Sequence, residues 1–425
     1  MGFASLESLM RCARASSSCL LLLFALCHSA IPSNADPCLA ATNSRSGSQG
    51  RGICRVADEV SGLSERFAVL AQADRPEIPE KDAPPATGWE GVKPKLDPFP
   101  ILSYSTDTGL GYGAKVFLLN QLKRGESLDL IAFNSTKGER WYRAVASFPD
   151  CELRQGKVYP IAVDFILDYD KYLKNSFFGI GPASRYSDRE FYTKELLEVS
   201  LSIGRGFTST TIAQVGLRSK TVRNYRFAED GRLRTLPRAR NPGRASCLSA
   251  FANYRFDTRD SYVDPSRGVV VQGELEYAPK TGFTNVRLTR VGAKLQCYSV
   301  LFHPKTVLAL RLGVQGLIGR DIPVQMLLPI GGNQTLRGSP QDRFLDRSAM
   351  IVNAELRFPI IWRFGGVAGF DAGRVWDSPR SLTLRALPAN AVAGLRFHMD
   401  TFVVRLDVGV GRETTGFYLN FGQLF

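Results

Sequence analysis

The stretch that most restricts the fold runs from residue 348 to residue 360. Met350, Val352, Ala354, Leu356, Phe358 and Ile360 alternate there with Ile351, Asn353, Glu355 and Arg357. A period of two is a strand with an apolar face and a polar one. A soluble sandwich turns the polar face to water; a transmembrane barrel turns it to its lumen. The pattern recurs along the chain. Tyr159, Ile161, Val163, Phe165 and Leu167 face one way, and Asp164 and Asp168 the other. Leu248, Ala250, Ala252, Tyr254 and Phe256 share an apolar face, while Gln272, Glu274, Glu276, Arg290, Lys294, Arg311 and Gln315 fall on polar ones.

Spacing favours the barrel. From Pro98 on, strands follow one another at about twenty residues per strand and connection, which gives about sixteen of them. Long connections (171–192, 226–245, 319–346) fall on one side. Short ones (207–210, 302–305 and around 400) fall on the other. Outer-membrane barrels show that asymmetry, with long loops outside. The expected fold is all-β, a transmembrane antiparallel β-barrel of about 16 strands with a short N-terminal helix and linker. Hydropathy does not reveal it, because only every second strand residue is apolar. The chain is 44% hydrophobic and 22% charged, as an ordinary globular protein would be. No apolar run of about 18 residues follows the N-terminus, so no helical span is expected.

Residues 1–35 read as a secretory signal. Arg11 and Arg14 precede an apolar stretch from Cys19 to Cys27, and Ser33-Asn34-Ala35 suits cleavage. Residues 36–96 read as a periplasmic helix and a Pro-rich linker. Val56, Val60, Leu63, Phe67 and Leu70 make one helical stripe. That helix either plugs the barrel or rests on its rim. Residues 97–425 form the barrel. Cys38 and Cys54 either pair in an oxidising compartment or stay as small apolar residues, as Cys151, Cys247 and Cys297 do. Cys297 is expected on the outward, lipid-facing side of its strand.

Three motifs sit close together near the C-terminal end: Leu328-Pro-Ile-Gly-Gly-Asn-Gln-Thr-Leu-Arg-Gly338, Asn353-Ala-Glu-Leu-Arg-Phe-Pro-Ile360 and Gly369-Phe-Asp-Ala-Gly-Arg-Val-Trp-Asp377. Alternation alone sends Glu355 and Asp371 inward, where a loop carrying Arg337 can pair with both. In order and spacing the motifs resemble the bacterial surface-antigen superfamily, the outer-membrane barrels that include BamA and TamA. The resemblance covers the chain from about residue 97. It implies that Gly331, Gly332 and Gly338 belong to a lumenal loop with an Arg-Gly tip. It also implies that Arg337 pairs with Glu355 and Asp371. Ser339 stands where the family usually has an aromatic. The family's periplasmic POTRA domains have no counterpart in residues 36–96. The last strand, with Phe417, Leu419, Phe421 and Phe425 expected on one outward face, matches the usual end of such barrels.

No catalytic motif is present: there is no G-x-S-x-G, P-loop or H-E-x-x-H. The chain is therefore read as a non-enzyme, without cofactor or metal. Its formal charge of +14 favours anionic partners. Nucleic acid is set aside, because an exported barrel does not meet it. Arg232, Arg234, Arg238, Arg240 and Arg244 crowd one long loop, either contacting lipopolysaccharide phosphates or simply solvated. The expected place is the bacterial cell outer membrane. The expected work is assembly, insertion or translocation of outer-membrane components, with client barrels or translocated proteins as partners. The resemblance implies a mechanism that uses a weak seam between first and last strands, and Pro98 and Pro100 of the first strand lack ladder donors. Alternatives are a passive pore or lipid conduit, and a structural surface antigen that forms a homodimer.

Overall fold

The computed structural model describes residues 92–425, apart from residues 239, 283, 302–303, 384–386 and 400–401. The expected signal, helix and linker up to residue 91, with Cys38 and Cys54, lie outside the described residues.

Sixteen strands close into one antiparallel barrel. In chain order they are β1 (Lys95–Ser105), β2 (Gly109–Leu119), β3 (Ser127–Ser135), β4 (Glu139–Phe148), β5 (Tyr159–Phe177), β6 (Glu190–Gly206), β7 (Thr211–Tyr225), β8 (Arg244–Asp257), β9 (Gly268–Ala278), β10 (Leu288–Val300) and β11 (Val307–Ile318). A small hairpin, β12 (Leu328–Ile330) and β13 (Phe344–Asp346), stands apart inside the following loop. The barrel resumes with β14 (Ser348–Ile361), β15 (Phe364–Trp376), β16 (Ala389–His398), β17 (Val403–Val410) and β18 (Thr415–Phe421). Each barrel strand pairs with its neighbour in the chain, except that β11 pairs with β14 and β18 returns to β1.

Alternation places the side chains. Leu102, Leu130, Leu197, Leu201, Ile203, Val215, Leu217 and Leu275 are exposed on the outer wall. Inward go Asp164, Asp168, Arg218, Glu274, Glu276, Arg290 and Arg311, all buried. These charges are paired, by cations of the wall and of the connection between β4 and β5. Arg154 meets Asp164 at 2.7 Å, and Arg218 meets Glu198, Glu274 and Glu276 at 3.1–3.3 Å. Toward the long-loop end the lumen turns apolar. Phe177, Tyr192, Leu196, Val222 and Leu317 line the wall there. Ile322, Val324, Met326, Leu328 and Ile330 of the long loop pack against them. Each such side chain contributes about 1.5–3 kcal/mol over an exposed position.

Three expectations need correction. The connection expected at 171–192 shrinks to 178–189, because β5 runs on to Phe177 and β6 starts at Glu190. A register shift between Tyr172 and Asn175 carries the pairing past the point where alternation weakens. Cys297 is buried rather than lipid-exposed. Finally, Phe425 does not share the outward face of the last strand. Gly422 takes φ +79° and ends the ladder, so alternation stops there. Leu424 and Phe425 then pack with Val270, Tyr298, Val307 and Ala309 inside the barrel.

Candidate functional site

The loop between β11 and β14 turns back into the lumen. Gly331 (φ +129°) sits against Pro340 and Arg343 so tightly that a Cβ would lie 2.2 Å from the Pro340 carbonyl oxygen. Gly332 donates its N–H to the Ser339 carbonyl at 2.9 Å, and the hydroxyl of Thr335 bonds Gly331. Those bonds fold the segment into a compact tip. Gly338 (φ +88°) packs on the backbone of Gly409 in β17, where a Cβ would meet Gly409 carbon at 2.6 Å. The tip therefore touches β17 this closely only because both residues are glycine.

Arg337 is fully buried at this tip. Its Nε and Nη2 donate to the two oxygens of Asp371 at 2.7 and 2.9 Å. Its backbone N–H donates to the same carboxylate at 3.0 Å. Nη1 donates to Glu355 at 2.7 Å and to Asp407 at 2.8 Å. The structure thus brings Arg337, Glu355 and Asp371 together and adds Asp407 as a third acid. Around them lie further cations. Arg357 bonds Glu355 at 3.0 Å, and Arg396 bonds Asp407 at 2.5 Å. Asn353 donates to Asp371 at 2.7 Å and to the Thr335 carbonyl at 2.9 Å. In a buried site, charge-assisted bonds of this kind hold only because nearly every lone pair is met.

Ser339 is held by hydrogen bonds. Its hydroxyl accepts from Asn390 at 2.9 Å, and Asn390 also donates to the Arg337 carbonyl at 2.8 Å. Tyr418 of β18 accepts the Gly338 N–H at 3.1 Å, and Thr414 donates to the Gly338 carbonyl at 2.7 Å. A second anchor escaped sequence reading. Arg343 grips Glu413 at 2.6 and 2.7 Å and Ser184 at 2.8 and 2.9 Å, and Asp342 meets Lys194 at 2.9 Å. The signal was the pair of opposite charges just past the Gly-rich run.

The five loop arginines do not join this site. All are exposed. Arg232 and Arg234 lie on a single helical turn, Arg232–Thr235. Arg232 is held by Asp188 at 2.7 Å, and Arg234 reaches the Glu229 carbonyl at 3.4 Å. The Arg240 carbonyl accepts the Val324 N–H at 2.8 Å, and Arg244 opens β8.

The seam is the second feature. β1 pairs with β2 along its whole length, from Lys95 to Ser105. With β18 it pairs only at Tyr104 and Ser105, opposite Leu419 and Tyr418. Just beyond, Thr106 N–H donates to the Phe417 carbonyl at 3.1 Å. Even-numbered residues of β1 therefore aim their amides at β18. Pro98 and Pro100 fall in that set, so the edge lacks two donors. On the other side β18 stays with β17 to Phe421 and then turns inward. Phe425 lies with Arg311 and Arg357 over its ring at 5.1 and 5.3 Å, and its carbonyl accepts from Arg357 at 2.8 Å. Gln423 bridges Arg396 (2.9 Å) and Asp264 (2.8 Å).

A closed barrel with a lipophilic wall, a charge-lined lumen and a loop tied inside it defines a transmembrane β-barrel of the outer-membrane class. The chain belongs to the Omp85 superfamily, whose domain matches residues 120–425. In fold it is similar to BamA from Haemophilus ducreyi lacking POTRA domains 1-3, with a TM-score of 0.59 at 13% identity over 78% of this chain and 71% of that one. It is also similar to CdiB from Acinetobacter baumannii (TM-score 0.52, 17% identity, 78% of this chain and 61% of that one). CdiB from Escherichia coli gives a TM-score of 0.50 at 13% identity, over 78% and 68%. The chain thus spans less than two thirds of the Acinetobacter protein's structure. No curated protein matches the sequence.

Proposed function

We propose that this barrel works in the bacterial outer membrane, with its long loops outward, in the assembly, insertion or translocation of outer-membrane components. The observation that carries the reading is the seam. In hydrocarbon an unpaired backbone amide or carbonyl costs several kcal/mol, roughly as in any apolar medium. The lower edge of β1 below Tyr104 faces that cost along most of its length. An edge of that kind favours either opening or capture of another strand, whose backbone supplies the missing bonds. The lumen supports the same reading over a passive pore. The Arg337 loop occupies it, tied by buried ion pairs, and the Leu424–Phe425 tail fills the other end, packed on apolar wall residues with Arg357 donating to the Phe425 carbonyl. Client barrels or exported chains are the partners this chemistry suits.

Depletion of the protein, followed by a quantitative outer-membrane proteome, tests the reading. Selective loss of other barrels or of exported substrates is the expected result. An unchanged proteome with altered solute permeability alone would replace it with the passive-pore reading.

A further inference from the structure

The outer wall carries a row of charge that the seam and loop do not use. Arg140 of β4 pairs in register with Lys171 of β5, Lys171 with Glu195 of β6, Glu195 with Arg223 of β7, and Arg223 with Arg244 of β8. All five sit on the outward parity of their strands, close to the long-loop end. Arg140, Arg223 and Arg244 are exposed, and Lys171 is half-buried. One acid serves four cations, and its carboxylate already accepts the Tyr169 hydroxyl at 2.9 Å. No ion pair is formed by any of the four cations among the described residues. Two of the cross-strand pairs, Arg140 with Lys171 and Arg223 with Arg244, set like charges directly opposite each other. That arrangement destabilises a sheet unless an anion lies between them.

The level of the row says which anion. One step deeper, Tyr142 and Tyr169 stack at 5.9 Å, nearly parallel. Below them Leu167, Leu197, Leu217 and Leu248 are exposed. Tyr225, just above, has Lys171, Arg223 and Arg226 over its ring at 5.7–5.9 Å. Aromatic residues mark the membrane interface, so the cations sit at headgroup depth. Five neighbouring strands at about 4.8 Å spacing make the row about 19 Å wide. A single phosphodiester fills little of that width; a head with several phosphates and several chains fills it. We infer that the row is a site for the phosphates of lipopolysaccharide on the outer leaflet. The inference rests on the reading that the long loops face outward.

The test uses the full chain purified in mild detergent, with bound lipopolysaccharide counted by native mass spectrometry. One variant combines Arg140→Gln, Lys171→Gln, Arg223→Gln and Arg244→Gln. A control combines Lys123→Gln, Arg205→Gln and Arg363→Gln, at the short-turn end. Migration of unboiled samples on gels checks that each barrel is folded. Each interfacial cation is worth about a fivefold factor, so the first variant should retain at least about tenfold less lipopolysaccharide while the control retains the wild-type amount. Wild type reloaded with dephosphorylated lipopolysaccharide should show the same loss. Equal retention by the first variant overturns the site. Equal binding of the dephosphorylated lipid, or of phosphatidylglycerol, overturns the choice of ligand. Sidedness is read separately, by protease cleavage of loop 226–243 on intact cells. Cleavage only in broken cells would defeat the outward orientation without touching the affinity measured in detergent.

Discussion

At the scale of single residues, Arg337 shows what spacing reveals and what it hides. Alternation around Glu355 and Asp371 puts both acids inward, and an arginine between flexible positions points to a loop tip. Asp407 belongs to the same constellation but lies 70 residues on from Arg337, on β17. Only closure of the barrel brings it to the guanidinium, so local pattern was silent. The third acid sharpens the expected mutant behaviour. Arg337→Ala leaves three carboxylates near one another and should cost about 3–5 kcal/mol of loop anchoring. Glu355→Gln with Asp371→Asn should free the loop to a similar degree. Combining all three changes should cost little more than either set, because the energy resides in shared bonds. Protease cleavage of loop 319–347 from outside reads the effect; additive losses would contradict the shared pairing. A second residue gives a pH signature. Burial at the turn between β1 and β2 pushes the Asp107 carboxyl from 3.8 to about 6, opposed by the Gln341 amide, Arg189 and Lys137. The docked form then holds the proton more tightly than the free turn. Docking of the loop at Gln341 should be firmest below about pH 4 and weaken as pH rises to 6. In Asp107→Asn, amide exchange in the loop should lose that dependence.

At the scale of elements, the strands were legible and their ends were not. Alternation in β5 weakens after Tyr172 and the Phe-Phe-Gly-Ile-Gly run reads locally as a loop, although the strand stays paired to Phe177. The last strand misled for a related reason. Phe417, Leu419 and Phe421 alternate outward, and extrapolating to Phe425 ignores the left-handed Gly422. The prolines of β1 were informative because proline removes one donor wherever it sits. Which neighbour loses that donor depends on parity, which only the Thr106–Phe417 bond supplies. Restoring both donors with Pro98→Val and Pro100→Val should lengthen the β1–β18 ladder downward. Slower amide exchange at Leu102 would report it, and unchanged exchange would show that the inward turn at Gly422 alone keeps the edges apart.

At the scale of the whole molecule, the barrel follows from facts that sequence carries well: alternation, strand count, and long connections on one side. What sequence could not give was how full the lumen is. No local pattern set the apolar side chains between Ile322 and Ile330 inside the barrel, and Phe425 was expected on the outward face, yet these side chains pack inside both ends. Circular dichroism should be dominated by strand, and unboiled protein should migrate apart from boiled protein on gels. The central claim is that the β1–β18 seam parts during function, and a reversible lock tests it most directly. Continuing the observed register sets Ser103 opposite Asn420. A strain relying on Ser103→Cys with Asn420→Cys should lose outer-membrane assembly or export when oxidised and regain it on reduction, while each single cysteine stays active. Full activity with the disulfide quantitatively formed would contradict the account.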